Sequence, residues 1–420
     1  MYIPRRLEGA VQRANEMFPV VLVTGPRQSG KTTMLQHLRG PERTFVSLDD
    51  LDMRQLARDD PKLFLAQFPP PVIIDEFQYA PDLLSYIKIA VDELTTRGRN
   101  QEAAGLFWLT GSQQFVLMRH VRESLAGRVA ILNLLGLEPA ELAGIRSDSP
   151  DVFKAPLDQL VPWSRDPSPK HVFSQIIAGS MPALRTESTE TDVRRQYYSS
   201  YVQTYLERDV SALDGVRNLR GFELFFRLLA GRAGQLVNFA DIARDVGVSA
   251  MTIREWLTVL ERSFHVLTIP PFYRSFSKRL VKTPKVYFLD SGLHAWLTGW
   301  HDPDTALSGP LAGSLFENWV VGMLIRSAWH RGREHALSIW RTSTGQEIYI
   351  WHESEGRIDT AEIKMRVGGE LRSVARRAFR PLESIDPAPL VWGRRLLFTL
   401  GDEVFPLGED AWQVPARYIS

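Results

Sequence analysis

The sequence predicts an α/β protein whose first domain is a doubly wound parallel sheet, and three observations carry that prediction. Short apolar runs at 20–23, 72–74 and 106–109 alternate with stretches of helical periodicity. That rhythm belongs to strands buried on both faces between crossover helices. The first run opens into TGPRQSGKTT, the spacing G-x-x-x-x-G-K-[ST] set between a strand and a helix. The run at 72–74 ends in the acidic pair Asp75 and Glu76.

Taken in order, 5–18 reads as a short helix leading into the first strand, and 43–48 as a second strand closing on Asp49 and Asp50. A polar helix is expected over 51–68 and the third strand over 72–74. A helix over 82–96, a fourth strand over 106–109, a helix over 113–125 and a fifth strand over 129–135 complete the domain. The 420 residues exceed one ordinary core, so further domains are expected. No run approaches the roughly 18 apolar residues of a membrane span. The opening MYIPRRLEGAVQ lacks the apolar centre of a signal peptide, and there is no cysteine to form disulfides or thiolate metal sites. A cytoplasmic location without membrane contact is the expectation. With a net charge of +1, any nucleic-acid binding must rest on a local patch.

Gly25 and Gly30 let the loop wrap backbone N–H groups around phosphates in conformations that a Cβ obstructs. Gln28 and Ser29 lie inside the loop, and Thr33 opens the helix behind it. Lys31 offers a point charge to the β- and γ-phosphates, and the Thr32 hydroxyl is a ligand for Mg²⁺. The positive end of the following helix favours the same anion. Asp75 is then the candidate for the metal shell, and Glu76 for orienting and deprotonating the attacking water. The next strand ends in Thr110, Gly111 and Ser112, where a small polar side chain faces the γ-phosphate or the water. Ser112 is the candidate; its other use is to cap the helix that follows.

In this order GPRQSGKTT, VIIDEFQYAPDLL, LTGSQQF and SLAGRV resemble the AAA-superfamily ATPases of bacteria and archaea in which a lid and a winged helix precede a domain of uncharacterised function. The resemblance continues through GSMPALR, YVQTYLERDV, YFLDSGLHAWLTG and GSLFENWVVGML, and so spans nearly the whole chain. It implies a P-loop AAA-type core, ATP with Mg²⁺ as cofactors, and a homo-oligomeric, ring-like active form. It implies no settled cellular role. It also implies an arginine lent to a neighbour's site from just before the fifth strand, which is Arg128 in SLAGR, with Arg119 and Arg122 as substitutes. Pro182, in GSMP, matches the lid proline that packs beside adenine. The core is assigned to 1–146, and the linker and helical lid to 147–215.

Prolines break the pattern over 147–170, which reads as an extended arm around the ATPase core. Residues 171–209 carry the helical periodicity of a lid. Within 216–300, helices over 222–229, 239–246 and 249–263, with a turn at Gly247, give a helix-turn-helix pattern. An alternating stretch over 265–289 would be its wing. Arg274, Lys278, Arg279, Lys282 and Lys285 interleave there with Phe272, Tyr273 and Phe276 and no acid, a strip suited to DNA phosphates. Glu255 and Glu261, on the expected recognition helix, oppose it.

The last unit, 301–420, places Glu317 on a helix, then QEIYIW, a turn, and RIDTAEIKM. These resemble a PD-(D/E)xK nuclease fold, in which Asp and Glu share Mg²⁺ and Lys helps to activate water. Glu362 and Lys364 share a strand face. Tyr349 stands where the first-strand carboxylate belongs, so the reading is a nuclease-like scaffold without cutting activity. The chain as a whole reads as an ATP-hydrolysing AAA-type ATPase acting on, or switched by, DNA. A nucleotide switch binding a protein partner, and a defence or repair nuclease with an active tail, are the alternatives.

Overall fold

The computed structural model describes residues 2–96, 100–111, 124–145, 151–185, 190–206, 210, 218–272, 283–341, 347–366, 368–408 and 410–419. Its first layer runs α1 (Leu7–Met17), β1 (Val20–Thr24), α2 (Lys31–Leu38), β2 (Thr44–Ser47), α3 (Leu51–Asp59), α4 (Pro61–Gln67), β3 (Val72–Asp75), α5 (Leu83–Thr96), α6 (Asn100–Ala103), β4 (Phe107–Gly111) and β5 (Val129–Asn133). The strands form one sheet in the order β2-β3-β4-β1-β5, with every pairing parallel. Side chains alternate between its faces: Val20 and Leu22 join the core on one side, Val21 and Val23 the core on the other. Both faces are dry, which is why these strands read as unbroken apolar runs.

The polar helix expected over 51–68 is two helices. Pro61 has no N–H to continue the first, and the Asp60 carboxylate accepts from Leu63 N at 2.9 Å to start the second. Residues 112–123 lie outside the described set, and with them Ser112, Arg119, Arg122 and most of the helix expected there.

After α7 (Pro139–Leu142), the segment expected to wrap the ATPase core is fastened to the C-terminal unit instead. Val152, Phe153, Leu157, Leu160 and Trp163 are buried in the core that also holds the C-terminal sheet. Trp163 N donates to Arg417 O at 2.9 Å, and Arg357 Nη2 to Phe153 O at 3.1 Å. The apolar residues between the prolines decide this, because they need a core to enter. Helices α8 (Pro169–Ala178) and α9 (Thr191–Tyr205) follow.

Next come α10 (Leu219–Ala230), α11 (Phe239–Val246) and α12 (Ala250–Arg262), and then β6 (Val266–Ile269) paired antiparallel with β7 (Lys285–Phe288). Gly247, at φ 79°, ends α11 in the left-handed cap a turn between helices needs. Ser249 caps α12 by accepting from Thr252 N at 3.0 Å. Phe222, Phe225, Phe226, Trp256 and Leu260 fill the centre of this unit.

The C-terminal unit adds α13 (Ser291–Leu297), α14 (Pro303–Ser308), α15 (Ala312–His330), β8 (Leu337–Arg341), β9 (Glu347–Ser354), β10 (Arg357–Ile363), α16 (Leu371–Phe379), β11 (Val391–Thr399), β12 (Phe405–Pro406) and β13 (Ala411–Pro415). Its sheet order is β12-β13-β11-β10-β9-β8. Buried along most of its length, α15 joins the units: Asn318 accepts from Phe288 N at 2.7 Å and donates to Phe288 O at 3.0 Å, closing the edge of β7. No described helix is long and apolar enough to cross a membrane.

Candidate functional site

The loop between β1 and α2 has the shape its glycines require. A Cβ on Gly25 would lie 2.0 Å from the Leu134 carbonyl oxygen, and Gly30 caps α2 at φ 91°. Lys31 is buried, with Nζ donating to the loop's own carbonyls at Gly25 (3.0 Å) and Pro26 (2.8 Å). Burial pulls its pKa down to about 8, against the attraction of Glu76 and Asp75. Ser29 Oγ is buried with no hydrogen-bond partner in the protein. A buried ammonium and an unsatisfied hydroxyl at the mouth of one loop fit an anion between them.

Asp75 collects three hydroxyls. Thr32 Oγ1 and Thr110 Oγ1 each donate to its Oδ1 at 2.6 Å, and Ser47 Oγ donates to Oδ2 at 3.2 Å. Sequence reading pairs Thr32 with Asp75 through a shared metal; Ser47 and Thr110 complete the set because β2, β3 and β4 are neighbours. Glu76 turns out of the strand in a left-handed conformation, φ 51° and ψ 42°, with its N–H held by Thr110 Oγ1 at 3.1 Å. Gln78 Nε2 donates to Glu76 Oε2 and fixes that carboxylate. Gln78 lies two residues beyond Glu76 in the DEFQ run, a spacing that marks it as a partner of that carboxylate.

Three family models match the chain. Residues 17–143 match the AAA domain, 170–304 a domain of unknown function (DUF8612) and 312–419 a second one (DUF4143). An uncharacterized protein of Mycobacterium bovis and one of Mycobacterium tuberculosis are each 31% identical over 423 residues, covering 100% of this chain and 85% of their own. The chain belongs to their family. Among solved structures, this AAA-domain protein is similar to the Walker-type ATPase of Pyrococcus abyssi, over 70% of this chain and 96% of that one, at 13% identity and a TM-score of 0.43. A DNA replication initiation factor aligns over 61% of this chain and 85% of its own, at 16% identity and a TM-score of 0.22.

Gln28 is exposed at the loop tip and accepts from Tyr197 OH of α9 at 2.5 Å, so α9 touches the loop. Thr33 is exposed on α2. Pro182 opens a short turn (Pro182–Leu184) next to Ser180, whose N–H and Oγ both donate to Asp290 at 2.7 Å. Tyr198 OH donates to the same carboxylate at 2.7 Å, which ties α9 to the start of α13. Arg128 O accepts from Val20 N, so Arg128 lies at the end of β1 remote from the loop, roughly 15 Å away by strand rise. Its side chain pairs with Asp92 at 2.6 Å.

Arg5 is a contributor that no local pattern announces. It donates to Ser29 O (2.9 Å), Leu135 O (2.8 Å), Gly136 O (3.0 Å) and Glu141 Oε2 (3.1 Å), tying the loop to the exit of β5. Glu138, Glu141 and His330 bring ligand atoms within 4.8 Å of one another. Arg5 and Arg6 already balance the two carboxylates, and Leu135 N donates to His330 Nε2, leaving the ring proton on Nδ1 facing Glu138. The node is charge-balanced without a metal ion.

The expected DNA strip needs correction at Lys285 and Phe272. Lys285 is buried on β7, its Nζ 3.6 Å from Glu317 Oε1 and ion-paired with Glu347. Phe272 stacks on Trp351 at 4.4 Å. Both face the C-terminal unit, whose β8 pairs with Pro271 and accepts at Ile339 O from Phe272 N at 2.6 Å. Arg274, Lys278, Arg279 and Lys282 lie outside the described residues. On α12, Glu261 turns inward and accepts from Thr268 Oγ1 at 2.5 Å, while Arg254 stays exposed over the Phe239 ring.

The same cluster takes in the nuclease-like residues. Lys364 Nζ is 2.6 Å from Glu362 Oε1, and the Tyr349 ring lies under both lysines, 4.4 Å from Lys285 Nζ and 5.0 Å from Lys364 Nζ. Glu362 is buried with Oε2 unpartnered, and burial pushes its pKa up to about 7 despite Lys364. Burial likewise raises Glu317, which accepts from Tyr287 OH at 2.8 Å. The cations among these carboxylates are the Lys285 and Lys364 ammonium groups.

Proposed function

We propose that this AAA-domain protein is an Mg²⁺-dependent ATP hydrolase that works as a homo-oligomer on, or switched by, DNA. The hydrolytic part rests on Lys31 buried at the loop mouth beside the Thr32–Asp75–Thr110 constellation, with Glu76 turned out of the strand next to it. In this reading Lys31 and the loop N–H groups hold the phosphates, and Thr32 and Asp75 hold the metal. Mg²⁺, when bound, supplies charge neutralisation at the phosphates. Glu76 takes the proton of the attacking water, and Gln78 keeps its carboxylate oriented.

Arg128 supports the oligomeric part, because it is too far along β1 to serve its own loop. Its pair with Asp92 is about a third exposed on each side, worth about 0–1 kcal/mol, and is readily exchanged for a neighbour's phosphate. Lys31→Ala should lose nucleotide binding and Arg128→Ala should lose hydrolysis while still binding ATP. Mixing the two proteins should recover part of the turnover, since each lends the other its intact half. A mixture no more active than its components would remove the trans role.

The DNA part is supported by the three helices and antiparallel pair of 219–288, with Arg254 exposed on α12. Burial of Lys285 and Phe272 favours a second reading, in which the same unit is a packing module and the ATPase switches a protein partner. ATP turnover that rises with added duplex DNA supports the first reading, and turnover indifferent to DNA the second. The tail plays no cutting part in either. Supercoiled and linear DNA should stay intact with Mg²⁺ or Mn²⁺, and cleavage lost in Glu362→Ala would restore the nuclease.

A further inference from the structure

The helix α16 carries an unusual surface. It buries Leu371, Ala375 and Phe379, at i, i+4 and i+8, against the core beneath the C-terminal sheet. Arg372, Arg376 and Arg380 repeat the same spacing one residue on, with Arg377 beside them, and all four are exposed. Arg380 keeps helical dihedrals (φ −50°, ψ −39°), so the row continues past the last turn. None of the four forms an ion pair among the described residues. Some arginines elsewhere are ion-paired, Arg227 with Glu223, Arg232 with Asp245 and Arg244 with Asp241, whereas this helix sets four in one row. The acid beginning this helix, Glu370, is engaged by Ser373.

Helix-end electrostatics favours cations in the last turn, which accounts for Arg376 and Arg377 but not for Arg372 in the first. Four like charges on one short helix repel one another at low ionic strength, and Arg372 has no helix-dipole gain to set against that cost. A polyanion removes that cost. Arginines four apart lie about 6 Å apart along the axis, so the row spans about 12 Å. Over that length a duplex presents about seven phosphates, each suited to a guanidinium fork. An anionic membrane is the poorer match. Surface-bound helices press an apolar face into the lipid, and the apolar face of α16 is already inside the protein.

We infer that the outward face of α16 is a nucleic-acid backbone surface, gripping duplex DNA through Arg372, Arg376, Arg377 and Arg380. It rests on the reading of the chain as DNA-linked and adds a second, sequence-indifferent contact on the C-terminal unit. The test is fluorescence anisotropy with a labelled duplex between 50 and 200 mM salt (on the order of the range where phosphate contacts are read). Wild type is compared with R372Q/R376Q/R377Q/R380Q, with the corresponding lysine variant, and with R274Q/K278Q/R279Q/K282Q. The glutamine variant of α16 should reduce the slope of log affinity against log salt by about 0.9 for each phosphate lost, and the lysine variant should keep most of it. Its ATP hydrolysis without DNA and its melting temperature should equal those of wild type.

An unchanged slope, with wild type and the 274–282 variant behaving differently, overturns this surface but leaves the DNA reading standing. No duplex binding by wild type at the lowest salt overturns both. Binding to phosphatidylserine vesicles that depends on the four arginines, with none to DNA, assigns the face to membrane and overturns the inference.

Discussion

Glu76→Gln should leave ATP bound and lower turnover by about 10²–10⁴-fold, the span general-base catalysis ordinarily supplies. The substitution keeps the volume of the side chain, so the left-handed turn at φ 51° and the backbone bond to Thr110 are undisturbed. What changes is basicity: an amide takes no proton from water. Asp75 sits one residue away but is saturated by Thr32, Thr110 and Ser47, so it is poorly placed to substitute. Binding is read with a fluorescent nucleotide, and the chemical step by single-turnover hydrolysis. A variant that hydrolyses at the wild-type rate would return the base to another residue. Gln78→Ala, which frees the Glu76 carboxylate, should give a smaller loss in the same direction.

The nucleotide site was legible because its parts are local. A strand, a loop with two required glycines, Lys31 and Thr32 fall within the contiguous run Val20–Thr32, and Asp75–Glu76 ends the next strand but one in sequence. Apolar runs named the strands because both faces of the sheet are covered, as the split of Val20–Leu22 from Val21–Val23 confirms. Long-range chemistry was not legible in this way. Arg5 reaches Ser29, Leu135 and Glu141 only after the sheet has closed. Lys285 and Phe272 misled for a physical reason: alternating basic and aromatic residues suit a phosphate-facing strip, and equally a strand that buries one side. The carboxylates that capture Lys285 lie on α15 and β9, beyond any local pattern. The basic face of α16 was visible as LRSVARRAFR, but its significance depends on its lacking acidic partners in space.

Lys285→Met should destabilise the folded chain by about 3–5 kcal/mol, the usual cost of stripping one partner from a buried ion pair. Methionine fills nearly the same space, so the loss reads charge rather than a cavity. Only 4% of the Lys285 side chain is exposed, against 14% for Glu317 and 22% for Glu347. Without its ammonium, those two carboxylates and Glu362 face one another with Lys364 as the one remaining cation among them. The pH dependence has a definite sign. Between pH about 4.5 and about 7, Glu362, raised from 4.5 to about 7, is largely neutral in the folded protein while already ionised in the unfolded one. Its contribution is therefore fully present below about 4.5 and is lost as pH rises through about 7. Removing Lys285 raises Glu317 and Glu362 further, so the deficit of the variant should be larger at pH 8 than at pH 6. Denaturant unfolding at both values measures it, and adding Glu317→Gln to Lys285→Met should recover part of the loss. A variant as stable as wild type at pH 8, with no rescue by Glu317→Gln, would mean that the ammonium is not the cation that holds this cluster together.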